Sequence, residues 1–317
     1  MSGRMSWTRL GTLVDPRETP GMNSHAQVPT ALRLADRIRV YYADRDRQGR
    51  SFPAYVDVDP AHPTQVLDHH PSAIMALGRP GAFDDMGVMP GYAAQESDGR
   101  VLLFYSGWNR AFNVPYHNAT GLASSVDGVR FERMFEGPVM DRTATEPYIA
   151  VTPSMLREPD GSWKAWYISG LRWDLVGDKY EPVYVIKHAH SADGVQWVRP
   201  PEICVPQRHP QEAFSHPTVF RHRSRIHMWF CARHSVDYRG GSGAYRMGYA
   251  WSSDGRTWTR KDDDAGLRPS DGGFDSQMTA YPFVLREGDD LLMFYNGNGF
   301  GQTGIGVARL PLAALTS

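Results

Sequence analysis

Apolar residues along this chain come in short runs, and no long stripe of helical period interrupts them. Five of the runs open on a proline: Pro29-Thr-Ala-Leu, Pro90-Gly-Tyr-Ala, Pro153-Ser-Met-Leu, Pro217-Thr-Val-Phe and Pro282-Phe-Val-Leu. The prolines are 61, 63, 64 and 65 residues apart. A second run follows each, carrying an aromatic pair: Tyr41-Tyr42, Phe104-Tyr105, Trp166-Tyr167, Trp229-Phe230 and Phe294-Tyr295. A near-constant period with fixed internal order is one supersecondary unit built repeatedly. It is too long for a helical pair and suits four strands with generous loops. The chain therefore reads as all-β, a five-bladed β-propeller forming a single domain over 1-317.

Within each unit the proline is expected to begin the innermost strand, where a missing N–H costs least. The second strand holds the aromatic pair. The third ends in a hairpin signal, at Ser125-Val-Asp-Gly128, Ala192-Asp-Gly194 and Ser253-Asp-Gly255, since Gly tolerates the positive φ of two-residue turns. The fourth reads aromatic-x-Arg, as in Phe131-Glu-Arg133, Trp197-Val-Arg199 and Trp258-Thr-Arg260. The last unit lacks that strand, and Trp7-Thr-Arg9 at the other end nearly copies it. The N-terminal segment is expected to complete the last blade and close the ring, which removes an open sheet edge.

Composition narrows the function. Nine Trp and an aromatic fraction of 12% suit sheet packing and sugar stacking. A net charge of −1 offers no electrostatic footprint for nucleic acid or an anionic membrane. Cys204 and Cys231 have no metal-type spacing, and Met1 to Trp7 hold no apolar signal core, so a cytoplasmic protein without a membrane span is expected. His188 and His190 share a strand face without a further ligand at recognisable spacing, so no metal and no cofactor is expected.

The polar residues cluster where first strands should begin and second strands end. His25, Gln27, Asp85, Glu146, Glu212, His216 and Asp275 precede the prolines; Arg45, Trp108, Asn109, Arg172, Trp173, Arg233 and Asn296 follow the aromatic pairs. Loops on a rigid scaffold are where binding groups reside. Stacking Trp, forked Arg and hydroxyl-binding Asn together fit a small-molecule or oligosaccharide substrate, the arginines reaching a carboxylate or phosphate or else pairing with nearby acids.

The pattern resembles the clan of propeller glycosidases that includes arabinanases, xylosidases, invertases and levansucrases. It is similar most of all to a bacterial group of glycosidase-like propellers often encoded beside polysaccharide-assembly genes. The residues that carry the likeness are Ser24-His-Ala-Gln-Val-Pro-Thr30, Phe83-Asp-Asp-Met-Gly-Val-Met-Pro90, Asp141-Arg-Thr-Ala-Thr-Glu-Pro-Tyr148, Tyr245-Arg-Met-Gly-Tyr249 and Tyr295-Asn-Gly-Asn-Gly299. The resemblance implies glycosyl transfer or hydrolysis through two carboxyl groups: Glu146 as acid/base, Asp85 as nucleophile or base, and Asp275 orienting substrate or tuning the acid's pKa, a role Glu212 could fill instead. In the better-known families the acids stand against the blade prolines, whereas Val28, Met89 and Thr152 occupy those places here. Either a longer entry loop returns the acids to the funnel, or the standard machinery is absent. Two alternatives stand beside it: another reaction on a sugar-like or phosphorylated small molecule, and a non-catalytic carbohydrate-binding propeller.

Overall fold

The computed structural model describes residues 5–239 and 241–315; Met1 to Arg4, read above for a signal core, lie outside them. Strands dominate. After β1 (Thr8–Val14), β2 (Gln27–Arg33), β3 (Ile38–Arg45), β4 (Ser51–Val58) and β5 (Val66–His70) pair antiparallel in chain order. So do β6 (Gly87–Gln95), β7 (Val101–Arg110), β8 (Tyr116–Ser125) and β9 (Glu132–Arg133). Next come β10 (Ala150–Arg157), β11 (Trp163–Val176) and β12 (Lys179–Ser191), with Val198 bridging to His190 where the fourth strand is expected. Then follow β13 (Glu212–His222), β14 (Arg225–His234), β15 (Arg246–Ser252) and β16 (Thr259–Arg260). The last meander is β17 (Ala280–Glu287), β18 (Asp290–Asn296) and β19 (Ile305–Pro311), and β1 pairs with β19. The first strands touch in order, β2 to β6, β6 to β10, β10 to β13 and β13 to β17, and β17 touches β2. Among the described residues no helix is long and apolar enough to cross a membrane.

The prolines do not begin their strands. Pro29, Pro153, Pro217 and Pro282 lie inside β2, β10, β13 and β17, and the ladder shifts register across each of them. A bulge removes the requirement for an N–H at that point. Its cost falls on the preceding residue: Val28, Thr152, His216 and Tyr281 stand at φ 50, 48, 49 and 50°. Such left-handed backbone is unfavourable for residues with a Cβ, above all a β-branched one, and persists where the surroundings over-determine it. Side chains of the neighbouring meander help to fix it, since Val219 N donates to Ser154 Oγ and Val284 N to Thr218 Oγ1, both at 3.0 Å.

Alternation along the second strand gives the two aromatic residues different tasks. The first reaches the Asp-Gly loop of the next meander. Tyr41 Oη donates to Gly128 O at 2.8 Å, and Trp166 Nε1 to Gly255 O at 2.8 Å. Those loops are not two-residue turns: Asp127 Oδ1 accepts from Val129 N and Arg130 N, with Gly128 at φ 68°, and Asp193 and Asp254 repeat the arrangement. The second aromatic turns back over its own meander, where a glycine faces Tyr105, Phe230 and Tyr295 (Gly121, Gly248 and Gly306). A Cβ on Gly121 would stand 2.2 Å from Tyr105 Cζ, so only glycine leaves the ring room to cross.

Three buried histidines tie stability to pH. Burial holds His188, His216 and His227 down to about 4. Their folded values lie below the value of about 6.5 expected in the unfolded chain, so the unfolded state takes up protons first. Stability should be full above that range and fall as the pH drops from about 6.5 towards 4, by up to about one proton per histidine. Urea midpoints at several pH values across the interval check this; a flat profile would contradict it.

Candidate active site

The carboxylates upstream of the prolines share one arrangement. Asp84 accepts from Tyr105 Oη at 3.0 Å and Arg133 Nε at 2.8 Å. Asp275 accepts from Tyr295 Oη and Arg9 Nε, both at 2.9 Å, and from Ser270. Glu212 is forked by Arg260 at 2.6 and 2.8 Å. Glu146 takes Tyr167 Oη at 2.9 Å and Ser169 Oγ at 2.8 Å, with Lys187 at 3.1 Å and Arg199 at 3.3 Å. Asp84, Glu146 and Asp275 are thus clasped between a Tyr of their own second strand and the Arg of the aromatic-x-Arg segment, while Glu212 has the Arg with Arg208 N and, among the described residues, no Tyr. In the third meander Lys187 faces Tyr167 where the others have glycine, and its ammonium joins the clasp. The first meander substitutes His69 on β5, 2.7 Å from Tyr42 Oη.

Glu146 and Asp275, expected in the funnel, therefore sit in clasps whose cations engage their oxygens. Burial alone would raise the Glu146 carboxyl, but Ser169, Tyr167 and Lys187 hold it below its ordinary value. Glu212 is held down likewise, chiefly by Arg260 against the effect of burial. A general acid needs the opposite shift. Asp85 is half-buried: one oxygen accepts from Gly81 N at 2.7 Å and the other has no partner.

Four further expected residues are occupied by the fold. Asn296 donates to Ala26 O and Gly304 O and accepts from Val28 N, bolting β18 to β2. Arg172 pairs with Asp174 and donates to Pro210 O. Trp108 Nε1 donates to Ser51 Oγ at 3.3 Å, and Asn109 to Ala82 O at 3.2 Å.

Gln27, Arg45, His216 and Arg233 do have unpartnered atoms. Gln27 donates to Phe300 O at 2.9 Å while its Oε1 is unpartnered. His216 Nδ1 lies 3.1 Å from Pro282 O, and its Nε2 is unpartnered, as are Thr152 Oγ1, Arg45 Nε and Arg233 Nη1. His25 Nδ1 meets Ser24 Oγ at 2.7 Å, and burial with the nearby Arg45 charge holds the ring down to about 4. Val28, Thr152, His216 and Tyr281 are the strained pre-proline residues, so the orphan atoms of Gln27, Thr152 and His216 fall beside backbone strain at the starts of β2, β10 and β13. Buried polar atoms without partners cost free energy unless something else satisfies them.

Around them runs an aromatic cluster of which the sequence reading named Trp173 and missed the rest. Tyr281 lies 6.0 Å from His216 and 5.5 Å from Tyr245; Phe300 is 6.1 Å from Tyr245, whose hydroxyl is 3.2 Å from that of Tyr184. Tyr116 packs edge-on against Trp173 at 5.2 Å. Burial raises the hydroxyls of Tyr116 and Tyr281, yet both keep partial exposure, the signature of side chains lining a concavity. Glu181 enters the cluster from β12: Tyr238 Oη donates to its Oε2 at 2.6 Å, and Arg239 Nε to its Oε1 at 3.2 Å. These residues come largely from the starts of third strands (Tyr116 on β8, Glu181 and Tyr184 on β12, Tyr245 just before β15), which meet the ends of second strands in antiparallel pairing. Extending the strand-direction argument to third strands would have found them.

The fold is that of glycoside hydrolases. A glycosyl hydrolase from Bacteroides ovatus superposes with TM-score 0.73 at 14% identity, over 97% of this chain and 94% of that one. A family-43 glycoside hydrolase described as thermostable gives TM-score 0.67 at 13% identity, over 92% and 91%. A structure from work on GH130 mannoside phosphorylases, described as containing glycoside hydrolases that target beta-1,2 mannosidic linkages in Candida mannan, gives 0.74 at 13% identity, over 97% and 94%. No family model matches the chain. By sequence the chain belongs to the family of the uncharacterized proteins Rv1502 and MT1551 of Mycobacterium tuberculosis (strains ATCC 25618 / H37Rv and CDC 1551 / Oshkosh). Each is 35% identical over 309 residues, 96% of this chain and 99% of the relative.

Proposed function

We propose that the chain is a sugar-active enzyme, a five-bladed propeller closed by β1, that cleaves or transfers a glycosyl unit in the hollow around Tyr184, His216, Tyr245 and Tyr281. The cyclic contact of β2, β6, β10, β13 and β17 supports the ring, and the pairing of β1 with β19 supports its closure. The observation that carries the function is the coincidence, on one rim, of strained pre-proline backbone, unpartnered buried polar atoms and partly open aromatic rings. Strain of this kind clusters at functional sites, and a polar, aromatic-walled hollow is what a sugar needs. The glycoside-hydrolase fold raises the weight of the reading by analogy. Among the described residues, Glu181 is the carboxylate bonded within the cluster. We assign it the acid/base role in place of Glu146 and keep Asp85 as the second carboxyl.

The test is incubation with a panel of glycosides and nucleotide-sugars, products followed by mass spectrometry, with Glu181→Gln, Asp85→Asn and Glu146→Gln in parallel. A product made by the wild type and lost in Glu181→Gln and Asp85→Asn, both folded, is the expected result. Binding of a sugar with no turnover across the panel would instead identify a carbohydrate-binding propeller.

A further inference from the structure

We infer that Arg45 and Arg233 form a subsite for an oxyanion carried by the substrate, a phosphate or carboxylate group on the sugar; the inference rests on the proposed hollow being the binding site. Arg233 is buried at 3% exposure, and no carboxylate among the described residues touches it. Its guanidinium donates to Tyr245 Oη at 3.2 Å, to Pro182 O at 2.9 Å and to Tyr184 Oη at 3.3 Å, and it lies 3.7 Å from the centre of the Tyr238 ring. Nη1 is left without a partner. Arg45 is half-buried, its Nε also unpartnered, and it makes no ion pair among the described residues.

The contrast with the other inward arginines gives this weight. Arg39 is forked onto Asp57 with both bonds at 2.7 Å, Arg199 lies against Glu146, and Arg260 forks Glu212. Arg172, by sequence an equal candidate, already has Asp174 and carries nothing. A buried cation without a counter-charge is costly, so a chain that pairs Arg39, Arg199 and Arg260 with acids and leaves two arginines open on one rim is suited to an anion that arrives with substrate. A third cation of the rim, Arg239, adds to the positive charge and engages the nearby carboxylate of Glu181. Arg239 is within electrostatic reach of both Arg45 and Arg233, and Glu181 is shared between it and Tyr238. Tyrosine hydroxyls beside Arg233 add neutral donors, a combination that holds oxyanions while cation–π contact keeps the guanidinium in place.

Titration calorimetry on the full chain with glucose, glucose 1-phosphate and glucuronate tests this without requiring turnover. At least one anionic probe is expected to bind roughly 10- to 100-fold more tightly than glucose, the range of one or two charge-assisted hydrogen bonds. The probe that wins identifies the group as phosphate or carboxylate. Arg45→Gln, at the more open position and so the safer variant for folding, should remove most of that advantage, and Arg233→Gln should do so if its melting temperature is near wild type. No advantage of either anion over glucose, or an advantage that survives Arg45→Gln in a folded protein, overturns the inference. A panel in which neutral glycosides alone turn over would overturn it while leaving the enzyme reading intact; anion binding without any turnover would do the reverse.

Discussion

Replacing Arg260 by alanine is expected to destabilise the fold by about 3–5 kcal/mol, the usual consequence of removing one partner from a buried ion pair. Arg260 bonds Glu212 and Asp262 at once, with its own side chain 7% exposed and that of Glu212 8%. Its guanidinium also stands 5.0 Å from Phe214 and 5.6 Å from Phe230, so packing is lost with the charge. Among the described residues, the Glu212 carboxylate would keep the hydrogen bond from Arg208 N, at 2.7 Å, against a buried negative charge. The strand itself would weaken, because β16 is two residues long and meets β15 through Ala250↔Arg260 and Trp251↔Thr259. Urea denaturation checks the size. Arg9→Ala supplies the internal comparison: it clasps Asp275 in the same way but is 36% exposed, so its loss should be smaller. Adding Glu212→Gln to Arg260→Ala should recover part of the stability, since the stranded charge goes with it. A fall below 1 kcal/mol for Arg260→Ala would mean that the clasps contribute little.

The clasps also explain which features the sequence made legible. Period and strand order could be read because the aromatic pair and the aromatic-x-Arg segment recur in every unit that has them, each doing a local job: Trp166 docks on Gly255, Tyr167 and Arg199 hold Glu146. The pairing of Trp7-Thr-Arg9 with the last meander followed from counting strands, and β1 does lie on β19. Glu146 and Asp275 are clasped rather than open, because proximity to a proline along the chain says nothing about which side of the sheet a carboxylate takes. Glu146 lies four residues before the start of β10, yet its partners are on β11, β12 and the Arg199 segment. The information was present in another form, since every acid upstream of a proline has an Arg available in the same unit's fourth strand. The proline position was misjudged for a different reason. A bulge with positive φ at Thr152 or His216 defies local propensity and is held by tertiary contacts such as Thr152 N to Ser106 Oγ at 3.2 Å. Sites that break local rules are where function is expected, and sequence reasoning is weakest there.

Glu181→Gln is expected to lower kcat by about 100- to 10,000-fold on whichever glycoside the panel identifies, with KM changed little, as for loss of a general acid or base. The amide keeps the shape of the side chain and can still meet Tyr238 Oη and the Arg239 guanidinium region, but it has no proton of suitable acidity to pass to a leaving oxygen. Glu181 is buried, and its hydroxyl partner Tyr238 is raised above its ordinary value by burial, so that partner stays protonated and donates throughout. Arg239, with its side chain 61% exposed, is a screened and weaker counter-charge than the buried pairs Lys187 and Arg199 provide for Glu146. That difference separates the two acids by experiment. Glu146→Gln removes the charge that neutralises Lys187 and Arg199, so it should lower the melting temperature; Glu181→Gln should leave it near wild type while stopping turnover. The pH profile gives a further reading: the limb governed by the acid should vanish in Glu181→Gln, with residual turnover restored by substrates whose leaving group needs no protonation, such as aryl glycosides of low leaving-group pKa. Full turnover of an unactivated glycoside by a folded Glu181→Gln protein would remove Glu181 from the mechanism and place the acid on Asp85 or elsewhere on the rim.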